Sequence, residues 1–360
     1  MPVRVLIVDD SPAIRHILQE ILEAYEDLKV VGTASDPYMA REKIKQLRPD
    51  VLTLDIEMPR MSGLTFLERL MRLRPMPVVM VSSLTEKYAE TTLRALELGA
   101  VDYIAKPRAG TKQLLADYGD ELANKIRAAA ATDVSYIRSL DKTWLSRAQT
   151  PPAGSLHDTQ GLDKRVIVIG ASTGGTEAIR EVLTQFPESM PPVLIVQHMP
   201  EFFTGMFARR LDQSCQLTVT EARHDEPALM GHAYVAPGHS HMELAKVGSQ
   251  YRIRLNQGAL VNRHRPSVDV LFWSAANVVA NQVLGVILTG MGQDGAAGLV
   301  ALREAGGHTI AQDEKSSVIF GMPRAAIEMN GAEDVLPLCD IGKRILTYLN
   351  SAPSVAASPD

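Results

Sequence analysis

Residues 166–179 read VIVIGASTGGTEAI. Four apolar residues lead through Gly170 and Ala171 into a turn of small residues, and helical spacing then resumes. That is a strand, a tight turn and a helix. Turns of this composition do one of two jobs. They let backbone N–H groups and a helix N-terminus hold a phosphate, or they hold a serine out as a nucleophile. A dinucleotide fingerprint needs G-x-G-x-x-G and an acidic residue about 20 positions further on. Ser172 stands where the second glycine should let a pyrophosphate approach, and the candidate ribose position after VLIVQH holds Gln197 or His198. No G-K-[ST] follows either. The stretch Gly170-Ala171-Ser172-Thr173-Gly174 does match G-x-S-x-G between a strand and a helix.

A serine nucleophile needs a base and a group that orients the base. His198 ends the next strand, PVLIVQHMP, and adjacent parallel strands lie about 4.8 Å apart, so both side chains can reach one crevice. Asp294 follows an apolar strand at 283–289, inside the glycine-rich loop of ILTGMGQDG. Asp269 and Asp313 are rival orienters; Asp294 is preferred for its loop at a strand end. His239 and His241 in PGHSHM raise metal ligation, but a pair at i, i+2 without a third ligand favours a cleft or surface role. His224, beside Asp225 and Glu226, suits a solvated turn.

The same alternation extends outward in both directions. In the first half, VRVLIV (3–8), LKVVGTA (28–34), DVLTLD (50–55), PVVMVSS (77–83) and VDYIAKP (101–107) alternate with helix-patterned segments. Ser11 and Pro12 form an N-cap and first turn for the first helix. Apolar strands alternating with helices predict parallel sheets covered on both faces. Residues 128–163 lose periodicity and collect Pro, Gly, Ser and Thr, with some helix expected at the start. From 165 the alternation restarts, with strands at 192–198, 216–222, 232–238, 251–256, 282–290, 308–313 and 335–338. The expectation is an α/β protein of two doubly wound domains, the N-terminal one five-stranded and the C-terminal one mainly parallel. The boundaries are 1–125, a linker at 126–163, 164–350 and a disordered tail at 351–360.

In the first domain Asp9 and Asp10 end the first strand, Asp55 the third, Ser82 the fourth and Lys106 the fifth. Ligands of parallel sheets bind at those strand ends. Clustered carboxylates need a counter-charge, and a hard divalent cation, Mg²⁺, suits oxygen ligands. Mg²⁺ with a nearby lysine is equipment for phosphoryl transfer.

A net charge of −5 gives no electrostatic reason to expect nucleic acid or an anionic membrane as the main partner. Cys215 and Cys339 alone make neither a metal cluster nor a disulfide framework, and suit a reducing cytosol. The apolar start of MPVRVLIVDDSP is too short for a signal peptide, and SAANVVANQVLGVIL (274–288) falls short of a bilayer span. The expected location is cytoplasmic, without membrane insertion.

VLIVDDSP, TLDIEMPRMSG, VVMVSS and DYIAKP resemble the receiver domain of two-component response regulators. The resemblance implies Asp55 as phosphoacceptor from a chemotaxis histidine kinase. It implies Mg²⁺ held by Asp9, Asp10, Asp55 and the carbonyl of Glu57. Ser82 and Lys106 would bind the phosphoryl oxygens. Tyr103 would be a switching ring, the plainer alternative being a half-buried tyrosine. VIVIGASTGGTEAI, VLIVQHMP, VAPGHSHMEL, HRPSVDVLF and LTGMGQDGAAGL resemble the catalytic domain of the chemotaxis protein-glutamate methylesterases. That likeness implies a seven-stranded sheet, with Ser172 as nucleophile, His198 as general base and then acid, and Asp294 as orienter. Thr173 and the N–H of Met291 would stand near the oxyanion, and Arg265 and the GHSHM loop would line the substrate cleft. No cofactor is expected for the esterase chemistry.

The implied reaction is hydrolysis of glutamyl γ-methyl esters on cytoplasmic chemoreceptor helices, with deamidation of receptor glutamines. The receiver is expected to cover the Ser172 cleft until Asp55 is phosphorylated. The competing readings are a response regulator whose output is binding through a degenerate catalytic fold, and a general esterase for small metabolites. Turnover at Ser172 separates the first of these from an enzyme.

Overall fold

A computed structural model describes residues 1–83, 86–107, 112–132, 156 and 161–351, with 86–87 and 112–114 as backbone only. Most of the expected linker and all of the expected tail beyond residue 351 lie outside the described residues. The chain forms two compact units, 1–148 and 149–360.

The first unit has strands β1 (Val3–Val8), β2 (Leu28–Ala34), β3 (Val51–Asp55), β4 (Val78–Ser82) and β5 (Asp102–Ala105). They pair in parallel in the order β2-β1-β3-β4-β5. Helices α1 (Pro12–Glu23), α2 (Pro37–Leu47), α3 (Gly63–Leu73), α4 (Glu86–Glu97) and α5 (Lys112–Ala131) follow the strands in turn. As expected, Ser11 caps α1: its Oγ accepts the Ile14 N–H at 3.4 Å, with Pro12 in the first turn. Asp36 caps α2 through the N–H groups of Tyr38 and Met39. Each such cap contributes about 1 kcal/mol. β3 and β4 are buried along their whole length because helices cover both faces. α5 continues past residue 126 to Ala131, with Ile126 and Ala129 fully buried.

The second unit holds a seven-stranded sheet: β6 (Val166–Ala171), β7 (Val193–Gln197), β8 (Thr218–Glu221), β9 (His232–Val235), β12 (Val283–Ile287), β13 (His308–Gln312) and β14 (Asp334–Leu336). The order is β14-β13-β12-β6-β7-β9-β8, and every pairing in it is parallel. Helices α6 (Gly175–Leu183), α7 (Glu201–Ser214), α8 (Val268–Val279), α9 (Ala296–Glu304), α10 (Met322–Glu328) and α11 (Leu338–Ser351) pack on it. An antiparallel hairpin, β10 (His241–Val247) and β11 (Gln250–Asn256), stands apart from the sheet. The sequence signalled only its second strand. The first opens at His241, directly after the polar Gly238-His239-Ser240, yet its alternate Met242 and Leu244 are buried in one core with Leu271 and Ala275 of α8.

Both sheets begin in the middle of the strand order, wind to one side, and then return to build the other. The order therefore reverses between β1 and β3 in the first unit and between β6 and β12 in the second. Crevices at such reversal points are where open α/β sheets bind ligands.

Candidate functional site

Asp9 and Asp55 are buried at the first reversal point and Asp10 is exposed. One ligand oxygen from each lies within 4.8 Å of the others. Lys106 Nζ lies 3.2 Å from Asp9 Oδ2 and 2.7 Å from Asp55 Oδ2. Burial pushes the Asp55 carboxyl up to about 6; the Lys106 hydrogen bond opposes this, and the charge of Asp9 adds to it. Burial raises Asp9 as well, against the pull of Lys106. One ammonium does not balance three carboxylates, and an all-oxygen donor set suits a hard divalent cation, so these residues fit Mg²⁺. Glu57 follows in the same loop, its N–H donating to Asp55 Oδ1 at 3.3 Å. Ser82 is buried at the end of β4, beside β3, and its Oγ accepts from Thr92 Oγ1 at 3.2 Å. Tyr103 is buried more fully than the half-buried alternative. Burial holds its phenol well above the ordinary range, and Lys125 Nζ lies 5.5 Å from its ring.

At the second reversal point, Ser172 follows β6 and precedes α6. Gly174 takes a left-handed φ of 77° at the helix start, a conformation that glycine adopts without steric cost. The Ser172 turn is tied on three sides. Its N–H donates to Thr289 O at 3.0 Å, its carbonyl accepts from Gln197 Nε2 at 2.9 Å, and Thr289 Oγ1 donates to Thr173 O at 2.9 Å. Gly290 must be glycine: a Cβ there would stand 2.9 Å from Ser172 Cβ and 2.3 Å from Met322 Sδ. The loop after β12, which carries Met291 and Asp294, thus runs directly past Ser172.

His198 is brought beside Ser172 by strand register: its N–H donates to Ala171 O at 3.1 Å. Its side chain is 7% exposed, and Nε2 lies 2.8 Å from Asp294 Oδ2. Asp294 is buried at the N-terminus of α8. It accepts from five donors: His198 Nε2, Asn262 Nδ2, Ser267 Oγ and the N–H groups of Val268 and Asp269. Burial alone would raise its carboxyl. The His198 bond and charge, with Asn262 and Ser267, overcome that and hold it well below the usual carboxylate range. An ionised carboxylate only accepts, so Nε2 carries the proton of the shared bond. His198 Nδ1 is then the unprotonated nitrogen, and it is buried without a hydrogen-bond partner.

The rival orienters have other work. Asp313 accepts the N–H and Oγ of Ser316, and Asp269 accepts the Gly298 N–H and Asn262. His241 accepts the Ser267 N–H at Nδ1, so its Nε2 donates to Ala259 O. His239 Nδ1 meets Ser240 Oγ at 2.7 Å. Among the described residues, neither histidine belongs to a metal-like cluster. Arg265 is exposed and donates from Nη1 to the carbonyls of Gln257 and Gly258. Sequence reasoning missed Asn262, His264, Ser267 and Gln197. The motif HRPSVDVLF contains two of these, but nothing in its spacing says which carboxylate or ring they would meet.

The two crevices define an α/β protein with an acidic strand-end cluster in one unit and serine, histidine and aspartate side chains at the strand ends of the other. Comparison with known proteins gives that class its family. The family model for CheB methylesterase matches residues 167–345, and that for the response regulator receiver domain matches residues 5–117. A protein-glutamate methylesterase/protein-glutamine glutaminase of Burkholderia lata is 54% identical over 347 residues, 96% of each chain. One from Geobacter metallireducens is 53% identical over 354 residues, 97% of each chain. The crystal structure of the Thermotoga maritima CheB methylesterase catalytic domain matches with 38% identity and a TM-score of 0.50, covering 51% of this chain and 97% of that one. The chain belongs to the CheB methylesterase family and carries that family's receiver domain. Its enzyme class is protein-glutamate methylesterase with protein-glutamine glutaminase activity. No helix among the described residues is long and apolar enough to cross a membrane.

Proposed function

We propose that Ser172, His198 and Asp294 form the hydrolytic triad of this methylesterase and that phosphorylation of Asp55 governs its rate. The observation that carries the reading is the Asp294–His198 pair. A carboxylate held well below its usual range accepts from Nε2 at 2.8 Å, which leaves Nδ1 as the basic nitrogen at the strand end beside Ser172. This reverses the roles that the two ring nitrogens play in the chymotrypsin arrangement; roles, not atom names, define such a triad.

The substrates are glutamyl γ-methyl esters on cytoplasmic chemoreceptor helices, and the enzyme works in the cytoplasm. Ser172 Oγ gives its proton to His198 Nδ1 and attacks the ester carbonyl. The tetrahedral oxyanion takes hydrogen bonds from the Met291 N–H and from donors beside Thr173, which act most strongly where charge develops. The C–OCH₃ bond breaks, and methoxide takes the proton from His198 to leave as methanol. Water then gives a proton to Nδ1 and attacks the acyl-enzyme; glutamate leaves and Ser172 recovers its proton. An amide follows the same route with ammonia as the leaving group. Arg265, anchored on the carbonyls of Gln257 and Gly258, holds the loop that lines the cleft with the GHSHM segment.

In the receiver, a histidine kinase is the phosphodonor. Asp9, Asp10, Asp55 and the Glu57 carbonyl would hold Mg²⁺, which offsets carboxylate and phosphoryl charge. Lys106 and Ser82 bind the phosphoryl oxygens, and Tyr103 responds to the displacement of Ser82. A coupling of about 1–3 kcal/mol changes the esterase rate about 5- to 150-fold. The test is methanol release from methylated chemoreceptor membranes, with Mg²⁺ and with or without a small phosphodonor. Release should require Ser172 and rise with the phosphodonor. Absence of release by folded, Asp55-phosphorylated protein would refute the esterase reading and favour a binding output.

A further inference from the structure

Between β11 and α8 the chain makes a turn whose backbone is strained. Val261 N–H donates to His264 O at 3.1 Å, and His264 N–H donates back to Val261 O at 2.9 Å. The two central residues, Asn262 at φ 52° and Arg263 at φ 67°, are both left-handed. Turns of this kind favour Asn followed by Gly. An arginine at the second position is unfavourable, and such strain persists only where the surroundings over-determine it.

The surroundings here are the Asp294–His198 pair. Asn262 Nδ2 reaches Asp294 Oδ1 at 2.8 Å and Asp269 Oδ2 at 2.6 Å, bridging the two carboxylates. Two residues on, the His264 ring lies flat against the His198 ring, with centroids 3.7 Å apart and planes 13° from parallel. One strained turn therefore grips both members of the pair. His198 is held at Nε2 by a single hydrogen bond, and its Nδ1 has no partner. A ring fixed at one edge can still tilt about that bond. A flat neighbour at stacking distance removes the tilt and leaves the ring plane unchanged. It also presents a conjugated face to the imidazolium formed when the serine proton arrives.

We propose that His264 is a positioning residue for the hydrolytic reaction: its ring face holds the His198 imidazole with Nε2 on Asp294 and Nδ1 directed at Ser172. This rests on the reading of His198 as general base. The strained turn is retained because it delivers Asn262 and His264 together.

The test uses the full-length protein and the variants His264→Leu, which keeps bulk without a ring, and His264→Phe, which keeps a flat ring. Three quantities are measured: kcat and KM for methanol release from methylated receptor membranes, the thermal midpoint, and the ¹⁵N imidazole shifts of His198. His264→Leu should lower kcat by roughly 10- to 100-fold, the scale of a small misplacement of a catalytic group. Its KM should change little and its melting should stay close to wild type. His264→Phe should recover most of kcat. His198 should show one Nε2–H tautomer in wild type and in the phenylalanine variant, and a mixture in the leucine variant. Wild-type kcat in a folded leucine variant, a loss confined to KM, or equal damage in a folded phenylalanine variant would each overturn the proposal. If the wild type releases no methanol, the esterase reading fails on its own, and the tautomer shifts still decide whether His264 positions His198.

Discussion

Asp55 and Asp294 are the same residue type, each buried at the strand ends beside a reversal of strand order, and each close to one basic side chain. Their surroundings drive them in opposite directions. Asp55 has one backbone N–H at 3.3 Å, a lysine shared with Asp9, and a second buried carboxylate beside it, so burial prevails and its carboxyl rises to about 6. Asp294 has five donors, two of them backbone N–H groups at a helix start, so hydrogen bonding prevails over burial. Burial alone does not set the state of an acid; the number and charge of its donors do. Asp55 is left under-compensated, in an acidic cluster that fits a divalent cation. Asp294 is compensated by its donors and stands as a fixed charge beside His198.

The largest test of this contrast lies at the serine. Ser172→Ala should lower methanol release by about 10⁴ or more, since the remaining residues cannot form the acyl-enzyme. Asp294→Asn comes next, at about 10³–10⁴ in kcat, because an amide can donate to Nε2 and leave Nδ1 protonated. Steady-state kinetics with ¹⁵N shifts of His198 would check both effects together. Asp55→Asn should leave basal esterase activity intact and abolish the phosphodonor response, a loss of about 5- to 150-fold stimulation. Activity with and without phosphodonor measures it.

The smallest effect concerns stability against pH. The folded pKa of Asp55 is raised, so its contribution to stability is fully present below about 3.8 and is lost as pH rises through about 6. The folded pKa of Asp294 is lowered, so its contribution is present above 3.8 and is lost only in stronger acid. Without divalent cations, Asp55→Asn should therefore stabilise the receiver at pH 7.5 by about 1–3 kcal/mol, and by less at pH 5. Mg²⁺ should shrink the difference at pH 7.5. Denaturant unfolding of wild type and variant at the two pH values gives the comparison. A difference that grows on acidification would contradict the assignment.

The sheets and the strand-end residues were legible because parallel β/α folds leave unusually direct traces. Buried strands read as apolar runs, and functional side chains fall where those runs stop. That logic puts Asp9, Asp55, Ser82, Lys106, Ser172 and His198 at strand ends, and the structure finds each of them at or just past the end of its strand. Asp294 needed one further cue, the glycines around it. The first strand of the hairpin was hidden because HSHM masks the alternation of Met242 and Leu244. Asn262, His264 and Ser267 were hidden for a deeper reason. They meet His198 and Asp294 across long sequence separations, Ser267 from the helix start and Asn262 and His264 from a turn whose second central residue, Arg263, is left-handed without being glycine. Local propensity points away from such a turn, and only the assembled site accounts for it. His241 shows the converse: a histidine that invited a metal reading uses both ring nitrogens to hold the loop preceding α8.

The most direct measurement is mass spectrometry of full-length protein mixed with a methylated receptor peptide and quenched in acid within the first turnover. A peptide acyl group should be found on the fragment containing residues 166–179, at Ser172, and it should be absent from Ser172→Ala. Methanol release with no adduct at Ser172, or with an adduct at another residue, would contradict the account.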